Sequence, residues 1–295
     1  MKKLTKNLIH FILKYSGLTT LIREFFQKDK TTIILYHDIS KEVASIHFKY
    51  LIKKYNIIKL EDYISYRLGQ TDWQPPPKSL IITIDDGHKN NYKLKELIIS
   101  YKIPLTIFLC AGLVNTSRNF WFKHLSSKDL NKKLKKINNK DRLQFLEKNG
   151  YDNLKEFEHR NALSKKEINE LKSLVNFQSH SVSHPCLPNC SNEESRQEIF
   201  ESKRILEEDY GLNIDTFSYP NGDYSHREIE ILKKANYKAG ITCDLSFNDN
   251  KTDIYRLKRI DVPDNASLLE LESKITAVFP FFKRLVSKKD FGFSS

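Results

Sequence analysis

Two adjacent carboxylates, Asp85 and Asp86, end the apolar run Leu80-Ile81-Ile82-Thr83-Ile84, and Gly87 follows at once. The run is short and β-branched and comes after the breaker Pro75-Pro76-Pro77, so it reads as a buried strand. Acids at the mouth of such a strand are costly unless paired, hydrogen-bonded or bound to a cation. A second constellation, His180-Ser181-Val182-Ser183-His184, sets two imidazoles four residues apart. On a helical turn that spacing aims both rings at one cation, and Pro185 suits a tight exit. Two histidines with one aspartate make an open, three-ligand centre of the catalytic zinc type. Such a centre lowers the pKa of water and polarises a carbonyl. Asp85 then stands free as a base for the attacking water, and His37 can protonate a leaving amine. The chemistry implied is metal-assisted amide hydrolysis. Alone, Asp-Asp-Gly also reads as a surface turn.

The elements that must position these groups alternate along the chain. Strands are expected at 32–36, 56–60, 80–84, 105–110, 174–179, 216–219, 238–242 and 255–260. Helices are expected near 45–55, 61–68, 90–101, 164–173, 192–210, 226–236 and 267–278. The rhythm predicts parallel βα units closed, or nearly closed, into a barrel. Residues 118–163, rich in lysine and asparagine, interrupt it and read as an inserted helical cap. His37, Asp85, Asp86, His180 and Tyr219-Pro220-Asn221-Gly222 all follow strands, and groups at strand carboxyl ends converge on one face of such a barrel.

The three motifs resemble those of the polysaccharide deacetylases with the NodB-homology fold. Thr83-Ile84-Asp85-Asp86-Gly87 is similar to the TFDDG motif and His180-Ser181-Val182-Ser183-His184 to H-[ST]-x-x-H. Phe217-Ser218-Tyr219-Pro220-Asn221-Gly222 is similar to F-[AS]-Y-P-x-G. Leu35-Tyr36-His37 resembles the MYH segment of the circularly permuted branch, that of the poly-N-acetylglucosamine deacetylases. The likeness runs from about residue 31 to 262. It implies a distorted or incomplete (β/α) barrel with Asp85 as base and His37 as general acid. It also implies Asp86, His180 and His184 as ligands of one divalent ion, zinc first, with cobalt or nickel as alternatives. Tyr219, with Pro220 and Asn221 beside it, would offer a backbone amide to the oxyanion. Three features depart from the family. The third motif lacks the arginine that orients the base, for which Arg259 is the candidate. His88 replaces the aromatic that commonly follows the glycine, and the late D-x-x-x-W and L-x-H motifs are missing. His88 and Trp121 are candidate sugar contacts.

The 295 residues carry a net charge of +12 with 39% hydrophobic and 12% aromatic residues, enough for a real core. Residues 1–30 hold seven basic residues against two acids, and 274–295 hold five against one. The body between is nearly balanced, which argues against a nucleic-acid-binding surface. Both ends are amphipathic: Leu4, Leu8, Phe11, Tyr15, Leu18, Ile22 and Phe25 recur at helical spacing, and Ile275, Val278, Phe279, Phe281, Phe282, Leu285 and Val286 lie beside Lys283, Arg284, Lys288 and Lys289. Such ends either pack on the domain or lie on an anionic membrane. Lys14 breaks the first apolar stretch and no cleavage site follows, which reads against a signal peptide or a spanning helix. The expected organisation is therefore an amphipathic segment at 1–30, a deacetylase domain at 31–265 and a basic segment at 266–295. The expected location is cytoplasmic, peripheral at the inner face of the membrane. The expected substrate is an N-acetylhexosamine unit of a glycan or of a lipid-linked or nucleotide-linked precursor. A catalytically silent glycan-binding protein on the same scaffold is the alternative. Cys110 reads as a core thiol, and Cys186 with Cys190 as a poor match to structural zinc spacing.

Overall fold

A computed structural model gives the fold; it describes residues 16–125 and 127–277. Eight strands form one sheet: β1 (Thr32–Tyr36), β2 (Asn56–Ile57), β3 (Ser79–Ile84), β4 (Leu105–Leu109), β5 (Val175–Ser179), β6 (Thr216–Ser218), β7 (Ala239–Ile241) and β8 (Ile260–Asp261). Their order is β7-β6-β5-β4-β3-β1-β8, with β2 added beside the start of β3. Every pair is parallel. Both faces of the central strands are covered, which is why they read as unbroken apolar runs rather than alternating ones.

Alternation still decides direction. Ile34, Ile82, Ile84 and Ile107 face outward into a large core shared with the surrounding helices. Ile33, Ile81, Phe108, Ile241 and Leu257 face the barrel interior, and Ile58, Leu60, Tyr63 and Ile64 pack with them to fill it. The interior is therefore a packed core below the site. The strand expected at 56–60 is shorter because Leu60 already begins the helix Leu60–Arg67.

The strand expected at 255–260 divides into a 3-10 turn, Ile254–Arg256, and β8. This short stretch closes the barrel. The Leu257 amide donates to Gly240 O (2.9 Å), and its carbonyl accepts from Thr242 N (2.8 Å). A few residues on, Ile260 and Asp261 pair with Ile34 and Leu35 of β1. One segment thus touches both open edges and turns Arg259 inward.

The insert forms the helices Trp121–His124, Lys128–Leu134 and Asn139–Lys148, with a small core of Trp121, Leu134, Leu146 and Cys186. At the N-terminal end, Gly17 in the left-handed region precedes the helix Leu18–Leu21 and a π-helical turn, Ile22–Phe26. A helix running unbroken through residue 17 is therefore not formed. Leu4, Leu8, Phe11 and Tyr15 of the expected N-terminal helix, and the basic apolar stretch from Val278 onward, lie outside the described residues. Among the described residues no helix is long and apolar enough to cross a membrane.

Candidate active site

The inward positions that end the strands build the site. The Asp85 amide donates to Tyr36 O (2.9 Å) and the His180 amide to Leu109 O (2.8 Å), so both continue their strands past the last paired residue. Asp86 and Gly87 then both take left-handed conformations (φ 73° and 70°). Aspartate and glycine tolerate that region, and the reversal brings Asp86 round beside Asp85. His180 and His184 do not lie on a helical turn. Ser181 and His184 are left-handed (φ 66° and 59°), and the loop between the rings is held by the Glu198 carboxylate, which accepts from Val182 N (2.8 Å) and Ser183 N (2.9 Å). The four-residue spacing works through that strained loop, not through helical periodicity.

Asp86, His180 and His184 meet, with ligand atoms within 4.8 Å of one another and all three side chains buried. Asp86 Oδ1 lies 3.6 Å from His180 Nε2 and 3.5 Å from His184 Nε2. His180 Nδ1 donates to Ser218 O at 2.7 Å, which fixes the ring with Nε2 turned toward Asp86. Burial pushes His184 down to about 3, so its ring is neutral and able to ligate. Burial by itself would raise the Asp86 carboxyl, but the hydrogen bond from His88 together with the neighbouring His184, His88 and His37 rings holds the acid well below its ordinary range. Asp86 Oδ1 is buried without a hydrogen-bond partner among the described residues. An ionised oxygen left bare between two imidazoles is what a divalent cation would satisfy, so the residues fit one.

Asp85 is held differently. Arg259 Nη1 and Nη2 donate to its two carboxylate oxygens at 2.7 Å each, and the Ser218 hydroxyl adds a third bond at 3.1 Å. Arg259 is fully buried, and its other contacts include Nε to Thr242 O (3.0 Å), Nη1 to Thr83 Oγ1 (3.3 Å), Nη2 to Ser218 Oγ (2.8 Å) and Nη2 to Cys243 Sγ (3.7 Å). The sequence offered Arg259 as the candidate for orienting the base, and the structure buries it against Asp85. Burial works to raise the Asp85 carboxyl, and the Arg259 charge and hydrogen bonds, with His180 and His37 nearby, together reverse that and leave it below its ordinary value. His37 follows β1, half-buried, near enough to Asp85 and Asp86 to bear on both charges. Its amide and that of Asp38 donate to the Asp264 carboxylate (2.9 and 3.0 Å), and its carbonyl accepts from Asn91 Nδ2 (3.0 Å).

Three expectations are corrected. The Tyr219 amide donates to Ile241 O (3.0 Å) inside the sheet and is not free for an oxyanion. Its buried hydroxyl donates to Tyr255 O, away from the mouth. The Asn221 amide, one residue beyond Pro220 and left-handed at φ 59°, has no hydrogen-bond partner among the described residues. Trp121 is buried, with Arg142 over its ring and Nε1 donating to His184 O (2.8 Å), so it packs rather than offering a sugar platform. His88 is buried too, with Nε2 3.1 Å from Asp86 Oδ2. Sequence reasoning also missed Asp264, Glu198 and the orienting hydroxyl of Ser218, each an ordinary polar residue until the fold brings it near a site residue.

Residues 72–240 match the family model for polysaccharide deacetylase. The chain belongs to that family. It is therefore a hydrolase of the glycan-deacetylating class. The match holds Asp85, Asp86, His180, His184 and Asn221, while His37 and Arg259 lie outside it. YxkH of Bacillus subtilis, named as a polysaccharide deacetylase, is 21% identical over 248 residues, 81% of this chain and 73% of that protein. Among solved structures, the Streptococcus pyogenes deacetylase PplD in complex with acetate superposes with a TM-score of 0.61 at 20% identity, covering 84% of this chain and 99% of that one. IcaB from Ammonifex degensii gives 0.60 at 18%, covering 85% and 97%. These likenesses place the curled parallel sheet in the deacetylase fold.

Proposed function

We propose that the protein removes the N-acetyl group from an N-acetylhexosamine unit of a glycan or glycan precursor, with zinc or a similar divalent ion held by Asp86, His180 and His184. The observation that carries this reading is the division of labour between neighbouring acids. Asp86 turns a bare oxygen to two imidazoles, while both oxygens of Asp85, one of them 3.7 Å from His180 Nε2, are engaged by Arg259. A divalent ion supplies Lewis-acid polarisation and a lowered water pKa. Asp85, ionised across the working range, takes the proton of the water that attacks the acetyl carbon. The Asn221 amide, in the loop that follows β6, is taken as the backbone donor to the developing oxyanion. His37 then gives a proton to the amide nitrogen, the C–N bond breaks, and acetate and a free amine leave.

The test is acetate and amine release from N-acetylglucosamine oligomers and lipid-linked sugars by zinc-loaded protein, with Asp85→Asn as control. Release that falls about 100-fold or more in the variant supports the base assignment. No release across the panel would leave the glycan-binding alternative standing.

We also propose contact with an anionic membrane through the face opposite the catalytic mouth. Thr19 Oγ1 donates to Glu272 (3.1 Å) and Gln27 Nε2 to Ile275 O (2.8 Å), so the described parts of the two basic ends meet beside the start of β1. Leu21, Phe25 and Phe26 are exposed there at 47%, 74% and 62%. Apolar side chains flanked by basic sequence suit an interfacial contact with acidic lipid. The catalytic groups, at the other ends of the strands, would then face away from the bilayer.

A further inference from the structure

His88 stands where the family commonly carries an aromatic side chain, and its ring is buried beside Asp86. Its Nε2 lies 3.1 Å from Asp86 Oδ2 and its Nδ1 lies 3.3 Å from Lys123 Nζ. An ammonium group can only donate. Nδ1 must therefore accept, the proton must sit on Nε2, and Nε2 donates to Asp86. The ring cannot swing freely, because Phe120 packs on it edge-on at 4.7 Å between centroids. Asp86 Oδ2 is thus engaged while Oδ1 alone faces His180 and His184.

The residues that enforce this come from the insert. Lys123 and Phe120 hold His88, and the intervening pair holds His184: Trp121 Nε1 binds its carbonyl and the Phe122 ring meets its imidazole at 4.9 Å. Four consecutive residues therefore brace two of the three ligand positions.

We propose that Lys123 and His88 are positioning residues for Asp86, a relay that fixes one carboxylate oxygen so that the other is offered singly to the cation. The inference rests on the reading of Asp86 as a ligand, and the experiment separates the two. Metal-free protein is prepared with a chelator and titrated with zinc, and the cobalt-substituted form is followed by its visible spectrum. Asp86→Ala should abolish binding. His88→Phe, which keeps the shape and removes the donor, should weaken zinc binding roughly 10- to 100-fold, as loss of a partner behind a ligand commonly does. It should also alter the cobalt bands, because the released carboxylate can bind through both oxygens. His88→Gln restores an N–H donor and should recover most of the affinity and the wild-type spectrum. Lys123→Met should weaken binding less, since Lys123 acts at one remove.

Zinc affinity of His88→Phe within twofold of wild type, with Asp86→Ala unable to bind, would overturn the relay and leave the ligand assignment intact. Undiminished binding by Asp86→Ala would overturn the ligand assignment itself. Should His88→Phe melt at lower temperature without metal, the comparison of His88→Gln and Lys123→Met with wild type decides. A spectrum and affinity unchanged in Lys123→Met but lost in His88→Gln would refute the relay.

Discussion

Replacing Arg259 by methionine isolates what the guanidinium does for Asp85. The two side chains are 0% and 3% exposed and joined by two 2.7 Å bonds, so neither is compensated by solvent. Removing one partner of a buried pair costs about 3–5 kcal/mol, because the other charge stays buried alone. The protein escapes part of that cost by protonating Asp85. Loss of an adjacent opposite charge raises a carboxyl by about 1–3 units, and two units correspond to about 2.7 kcal/mol. In the wild type the folded carboxyl lies below its unfolded value. The pair's stabilisation is therefore complete above the unfolded carboxyl pKa of about 3.9 and is lost as pH falls through the lower folded value. In Arg259→Met the folded value lies above the unfolded one, so stability falls as pH rises through it. The stability gap between the two proteins should be widest near neutrality and close below about pH 4. Kinetically, the acid limb of kcat/KM should move up by roughly two pH units, with a plateau lowered on the order of 100-fold by misplacement of the base. Arg259→Lys should keep the acid limb near its wild-type position and lose rate, since a point charge cannot hold both oxygens. Urea denaturation at several pH values and pH–rate profiles of acetate release measure both effects. An unmoved acid limb together with a pH-independent stability gap would refute the reasoning.

Three further outcomes follow from the same geometry. Asp86→Ala and His184→Ala should each reduce bound zinc after desalting from about one ion per chain to a small fraction, as read by elemental analysis; full occupancy in either would remove that residue from the ligand set. Gly222→Ala would place a Cβ 2.5 Å from Cys243 Cβ and 2.6 Å from its amide nitrogen, at a φ of +78°. It should lose about 1–3 kcal/mol in urea denaturation and lower kcat by shifting the neighbouring Asn221 amide; a variant as stable and active as wild type counts against the loop's role. Phe25→Ser combined with Phe26→Ser should weaken co-sedimentation with anionic vesicles at least about tenfold, since burying one such ring is worth roughly 1.5–3 kcal/mol. Equal sedimentation of variant and wild type would sink the membrane proposal.

The sequence by itself determined a great deal here. The apolar runs that became β1, β3, β4 and β5 lie within a residue of where they were expected, because strands buried on both faces leave an unmistakable pattern. Asp85, Asp86, His180 and His184 were legible because acids and imidazoles ending such runs need a chemical reason to be there. Tertiary structure alone decided which group serves which. Arg259 reaches Asp85 only because the stretch 257–261 bridges β7 and β1, a closure made by one residue pair on one side and two on the other, with no periodic signal. The Tyr219 amide was lost to the ladder with β7, which depends on register. His88 and Trp121 read as candidate sugar contacts until the insert folded over His88 and buried Trp121 in its own small core. Hydrogen-bond partners hundreds of residues apart cannot be read from local spacing, since they depend on which strand edges meet. The sequence named the reacting groups, and the packing of the barrel and its insert assigned their orientation.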